Sequence, residues 1–143
     1  MRNFDTMATI QTVYSGALRT NALHVQSGAE IITDAPVDNQ GKGEAFSPTD
    51  LLAASLGSCM LTIMGIAARE HKFDIDGTKI AITKIMVSNP RKVGEVKIEF
   101  RFPHQNYTES QQRILKHAAH NCPVALSLHS DVVQNIIFNF NSI

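Results

Sequence analysis

The sequence predicts an α+β fold, with its elements in the order β-β-β-α-β-β-α-α-β. Three observations predict it. The first third alternates short β-branched runs with turn dipeptides, and a long uncharged stretch follows without a break. The remainder holds a strongly alternating pair of strands before two shorter helical segments. At 143 residues the chain has the length of one domain. A domain of that size buries roughly 70% of the surface its unfolded form exposes, so it needs no disulfide or metal merely to fold. Residues 8–143 are expected to form that domain, with residues 1–7 a loose N-terminal extension ending at a second methionine, Met7.

Residues 8–14, 17–26 and 30–33 read as strands, separated by the turn dipeptides Ser15-Gly16 and Ser27-Gly28. Residues 34–46, with two glycines, a proline and several turn formers, read as a loop. Ser47-Pro48-Thr49-Asp50 then supplies an N-cap serine, a proline at the first helical position and an acid in the first turn. The helix it starts runs to about residues 69–71. Residues 79–88 and 93–102 form a hairpin turning at Asn89-Pro90. Val96, Ile98, Phe100 and Phe102 alternate with Glu95, Lys97, Glu99 and Arg101, so one face is buried and the other wet. In the preceding strand Ile80/Ile82 gives way to Ile85/Val87, which predicts a bulge near Thr83-Lys84. Thr108 and Gln111 form a capping box for a second helix. Pro123 opens a short third helix with Cys122 at its N-cap, and residues 132–140 form the last strand.

Thirteen basic side chains balance 13 acidic ones. A dedicated nucleic-acid binder needs an excess of Lys and Arg, so that class is excluded. The N-terminus lacks the apolar core of a signal peptide, so the chain is expected in the cytosol with reduced thiols. Residues 51–68 form an uncharged run of 18, at the lower limit of about 18–20 for a membrane span. It contains Ser55, Gly57, Ser58, Thr62 and Gly65 and is bracketed by Asp50 and Arg69, so it reads as a core helix with no membrane partner.

Two cysteines are the candidate chemistry. Cys59 lies about three turns into the long helix, too far in for direct help from the helix dipole, so a thiolate there needs another cation. Cys122, at a helix N-cap, has that help. They are 63 positions apart, and sequence spacing leaves a redox pair and two separate core cysteines both open. His117, His120, Cys122 and His129 form a loose cluster in the second half. Their spacing matches no familiar zinc pattern, so neither a metal nor any other cofactor is expected.

The stretch S-P-T-D-L-L-A-A-S-L-G-S-C-M at 47–60, together with N-C-P-V at 121–124, resembles the OsmC/Ohr family of hydroperoxide-reducing proteins. The resemblance spans about residues 8–140 and includes the order of elements. S-G-A-L-R at 15–19 and T-D-A-P-V-D-N-Q-G-K-G-E-A-F at 33–46 look like an OsmC-like subgroup. The resemblance implies an OsmC-like fold in which the long helix is buried centrally under antiparallel sheet, and an intertwined homodimer. It implies a peroxidatic role for Cys59 and a resolving role for Cys122, with a dithiol reductant such as a lipoyl protein regenerating both. Arg19 matches the family's active-site arginine, which favours the thiolate and polarises the peroxide. The family often has a glutamate directly after the proline, where this chain has Thr49. Asp50 is one position on and rotated by about 100° around the helix. Glu44, in the preceding loop, is a freer candidate to orient Arg19.

Thr49 and Cys59 are separated by about 15 Å along a straight helix. If both line one site, a second subunit completes it, which again implies a C₂ homodimer. Apolar Leu56, Met60 and Ile63 near Cys59 point to organic hydroperoxides over hydrogen peroxide. The alternative reading is a non-catalytic domain that binds a hydrophobic small molecule in a dimer cleft.

Overall fold

Three short β-branched runs fold into an antiparallel sheet of β1 (Ile10–Gly16), β2 (Arg19–His24) and β3 (Glu30–Asp34), in that spatial order. These come from a computed structural model, which describes residues 8–141. The extension expected at 1–7 lies outside the described residues. β2 begins at Arg19 and not at position 17, because Ala17 and Leu18 take positive φ angles of 52° and 62°. That left-handed pair is a two-residue hairpin turn, whose twist suits the flanking strands but which cannot itself be strand. Tyr14 Oη accepts the Leu18 N–H at 3.2 Å across it.

Asp34 is the last residue of β3, not the first of the loop, and it pairs directly with Arg19 of β2. Beyond it the chain makes a 3₁₀ turn at Val37–Asn39 and returns. Phe46 then bridges Thr33, and its carbonyl accepts the Asp34 N–H at 3.0 Å. Gly41 is required in this loop: a Cβ there would lie 1.7 Å from the Ala35 carbonyl oxygen.

The described residues divide into two compact units, meeting at Leu51/Leu52. Helix α1 (Pro48–Glu70) crosses that boundary. In the second unit it presents Ala53, Leu56, Gly57, Met60, Met64 and Ala68 as a buried stripe at helical spacing. Its other face leaves Leu52 and Ile66 exposed. α1 is long and apolar enough to cross a membrane, but the stripe belongs to a packed core, so α1 is buried on one side only.

The sheet of the second unit contains β4 (Lys79–Val87), β5 (Lys92–Arg101) and β6 (Val133–Asn139), in that spatial order. β4 and β5 pair antiparallel, whereas β5 and β6 run parallel, which corrects the expectation of a purely antiparallel sheet. Helices α2 (Glu109–His120) and α3 (Pro123–Ser127) lie between β5 and β6 in the chain. A helical crossover of this kind returns the chain in the same direction.

The phase change expected in β4 is also absent. Its burial alternates regularly, with Ile85 and Val87 outward and the aliphatic stem of Lys84 at an inward position that hydropathy reads as a break. The irregularity lies between Ile85 and Met86, opposite Gly94. Val96, Ile98 and Phe100 of β5 and Leu115 of α2 are fully enclosed with the α1 stripe. Phe100 stacks on Phe138 and Phe102 on Phe140 across the parallel pair, with ring centres 5.2 and 4.3 Å apart.

Candidate functional site: an arginine clamp and a thiol pair

In the first unit, strand register places Arg19 opposite Asp34. The guanidinium donates Nε–H to Asp34 Oδ1 at 2.7 Å and Nη2–H to Asp34 Oδ2 at 2.8 Å. This is the two-pronged arrangement that fixes a guanidinium plane as well as its position. Nη2 also donates to Glu44 Oε2 at 2.8 Å, and the Glu44 N–H donates to Asp34 Oδ2 at 3.1 Å. Asp34 is 1% exposed and Glu44 65%. The Arg19 hydrogen bonds hold the Asp34 carboxyl below the usual carboxylate range, against the opposing effect of its burial. Bonds to Asp34 first and Glu44 second raise the Arg19 pKa, keeping it fully charged.

In the second unit, Cys59 sits half-buried on α1 and Cys122 fully buried at the N-cap of α3. Both are free thiols. The Ala125 N–H donates to Cys122 Sγ at 3.3 Å, the capping bond expected of a residue at this position. Even so, burial pushes the Cys122 thiol up, and the influence of Cys59 pushes the same way. The Ala125 and Val124 N–H groups oppose these effects without overcoming them. The helix end therefore does not make Cys122 a ready thiolate, because desolvation in a closed core outweighs one short helix. The placement matters for chemistry: Cys59, far away in sequence, packs against the enclosed core that includes Cys122.

The family profile for OsmC-like proteins matches residues 41–136. The chain belongs to the OsmC-like protein family. Its fold is matched over 95% of its length by a crystal structure from Psychrobacter arcticus 273-4, covering 98% of that chain. The identity is 54% and the TM-score 0.90, and that protein is provisionally named for osmotic stress induction and a detoxification response. An organic hydroperoxide resistance protein from Legionella pneumophila shares the OsmC-like fold at 16% identity and a TM-score of 0.73. The match covers 94% of this chain and 99% of that one. A Vibrio cholerae protein, provisionally named for organic hydroperoxide resistance and holding captopril in one of its active sites, matches at 17% identity and a TM-score of 0.71. The shared length is 96% of each chain. Both show the fold. A comparison with curated proteins finds no match.

Within this OsmC-like chain, Thr49 and Asp50 lie in the first turn of α1. The Ser47 N–H donates to Asp50 Oδ2 at 2.9 Å and the Asp50 N–H donates to Ser47 Oγ at 3.0 Å, a reciprocal helix cap. Thr49 Oγ1 shares a hydrogen bond with Ser47 Oγ at 3.2 Å. Asp34 is the residue that sequence reasoning missed, because it reads as the opening of a turn-rich loop. A hairpin turning at Gln26-Ser27 sets position 34 opposite position 19, and that register was the available signal.

Leu56 and Met60 are fully enclosed, so they offer no apolar surface to a substrate and do not bear on peroxide choice. His120 packs edge-on against Phe138, His117 reaches Asn121, and His129 reaches Asp131. Among the described residues no group of three or more His, Cys, Asp or Glu side chains could hold a metal ion. A separate cleft of about 610 Å³ lies at the C-terminal end of α1, lined in part by Ile66, Arg69, Phe73, Asp74 and Asp76.

Proposed function

We propose that the protein is a thiol peroxidase that reduces organic hydroperoxides, with Cys59 as the attacking thiol and Cys122 as the resolving one. The observation that carries this reading is the placement of two free thiols at one core, Cys59 partly accessible and packed against the cluster that encloses Cys122. The Cys59 thiolate attacks the distal peroxide oxygen, and the O–O bond breaks. The alkoxide takes up a proton and leaves as an alcohol, while Cys59 becomes a sulfenic acid. Cys122 sulfur then attacks the sulfenic sulfur, the S–S bond forms, and hydroxide leaves as water with the proton Cys122 releases. An external dithiol, such as a protein-bound lipoyl group, restores both thiols by exchange.

The order of events suits the environment of Cys122. Part of what holds its proton is the charge of Cys59. That charge is gone once Cys59 is a neutral sulfenic acid, so oxidation of the first thiol favours ionisation of the second. The reading assigns Arg19 the role of the cation that polarises the peroxide, supported by its match to the family's arginine and by its fixed, charged guanidinium. The hydroperoxide resistance proteins that share the fold support organic peroxides as the substrate class.

A homodimer belongs to the same reading. Among the described residues of the first unit, the buried ones are polar Thr33, Asp34 and Ser47, while Ile10, Val13, Tyr14, Ile31 and Phe46 are all more than half exposed. A three-stranded sheet needs a covered apolar face, and a second copy of the chain is the proposed cover.

One equivalent of an organic hydroperoxide should remove two thiols and yield a Cys59–Cys122 disulfide by mass spectrometry. Cys59→Ser should abolish peroxide consumption, and Cys122→Ser should stop at a trapped sulfenic acid after one turnover. The alternative is a module that binds a hydrophobic small molecule in a dimer cleft. That reading predicts slow, unselective oxidation of both thiols.

A further inference from the structure

We propose that Asp34 is the residue that positions Arg19 for the peroxide reaction, and that Glu44 is a dispensable second partner. The inference deepens the thiol-peroxidase reading and rests on it. It is carried by the difference between the two carboxylates around one guanidinium. Asp34 comes from a paired strand, directly opposite Arg19 in register, and is enclosed. It meets Arg19 through two hydrogen bonds, and the Glu44 N–H holds its own Oδ2. Position, plane and partner are all defined by backbone pairing. Glu44 is a loop residue, largely exposed, and touches Nη2 through one oxygen. An exposed single contact of that kind contributes little, because solvent screens it and the side chain loses freedom to make it.

A guanidinium that polarises a peroxide must present its remaining N–H groups in one direction. The donors turned toward Asp34 are Nε–H and one Nη2–H, which leaves Nη1 outside both the Asp34 and Glu44 bonds. Asp34 thus sets which edge of Arg19 is engaged and which edge is offered. An asparagine in its place keeps the size but turns one acceptor into an NH₂ donor facing Nη2–H, so the fork cannot close. The family glutamate missing at Thr49 is, on this view, replaced by a carboxylate from β3 and not by one on the helix or in the loop.

The test compares wild type, Asp34→Asn, Glu44→Gln and Arg19→Lys with tert-butyl hydroperoxide in stopped flow, resolving sulfenic acid formation from disulfide formation. The expected result is a loss of about tenfold or more in the peroxide step for Asp34→Asn, and of less than about threefold for Glu44→Gln. Arg19→Lys, which keeps the charge but cannot fork, should fall with Asp34→Asn. The disulfide-forming step should stay within about twofold of wild type in every variant, which general loss of folding would not produce. Phenylglyoxal should modify Arg19 faster in Asp34→Asn than in Glu44→Gln. If Asp34→Asn does not fold, Asp34→Glu, which keeps the charge and moves the fork by one methylene, takes its place with the same expected ranking. Equal rates for the Asp34 variant and an active wild type, or a greater loss in Glu44→Gln, overturn the proposal alone. A wild type that does not react with the peroxide overturns the functional reading, and the proposal with it.

Discussion

Asp34 and Cys122 are both buried groups whose ionisation is displaced, and they are displaced in opposite senses. Asp34 has its carboxyl held down by Arg19, so its folded pKa lies below its unfolded value of about 3.9. The stabilisation it provides is therefore complete above that unfolded value and is lost as pH falls through the folded one. Acid unfolding of the wild type below about pH 4 should lose a proton-linked component in Asp34→Asn, visible as a shallower fall of Tm with pH. Cys122 is displaced upward, by burial before all else. In Cys59→Ser the remaining thiol should still titrate above the ordinary thiol value of about 8.5, followed by absorbance at 240 nm. A midpoint at or below that value would mean that Cys59, and not burial, is the main cause.

At the scale of elements, the loop after β3 and the stripe of α1 are the two features whose geometry is most demanding. A Cβ on Gly41 would collide with the Ala35 backbone, which cannot swing aside as a side chain can. Gly41→Ala should cost about 1–3 kcal/mol in denaturant unfolding, because it forces the chain that carries Glu44 to shift. The Arg19–Asp34 pair, held by strand register, should survive it. Leu56 is fully enclosed on α1. Leu56→Ala should cost about 2–5 kcal/mol, the larger figure applying if the cavity does not collapse. The thiol pair depends on two elements at once, since α1 brings Cys59 to the core and the turn into α3 brings Cys122. Much of the element order was legible in the sequence. The Ser47 cap, the Thr108–Gln111 box and the Pro123 start are local signals, as is the alternation of β5. The faces of β4 were not legible, because an inward lysine interrupts the hydropathy pattern.

For the whole molecule, the distribution of exposed apolar side chains is the observation with the widest consequence. Among the described residues, the enclosed hydrophobic core is drawn from residues 53–140. The strands of the first unit carry large apolar residues that one chain leaves open to water, among them Val13 at 66% and Tyr14 at 63%. Sedimentation at micromolar concentration should give the mass of a dimer. Ile66→Glu, on the uncovered face of α1, should shift the equilibrium toward monomer without disturbing the buried stripe on the opposite side. A monomer of full peroxidase activity would sink the shared-site proposal.

What the sequence determined by itself is everything that depends on near neighbours: caps, turns, alternation, the long uncharged helix and the motifs around Cys59 and Cys122. These depend on contacts within a turn or two of chain, where spacing and side-chain type suffice. What only the tertiary structure decided is long-range pairing. Arg19 finds Asp34 through strand register, β6 joins β5 in parallel because a helical crossover returns the chain that way, and the half-buried Cys59 packs against the core that encloses Cys122. That closure also reversed the expected effect on the Cys122 thiol, because the cost of desolvating a charge exceeds what one short helix end can return.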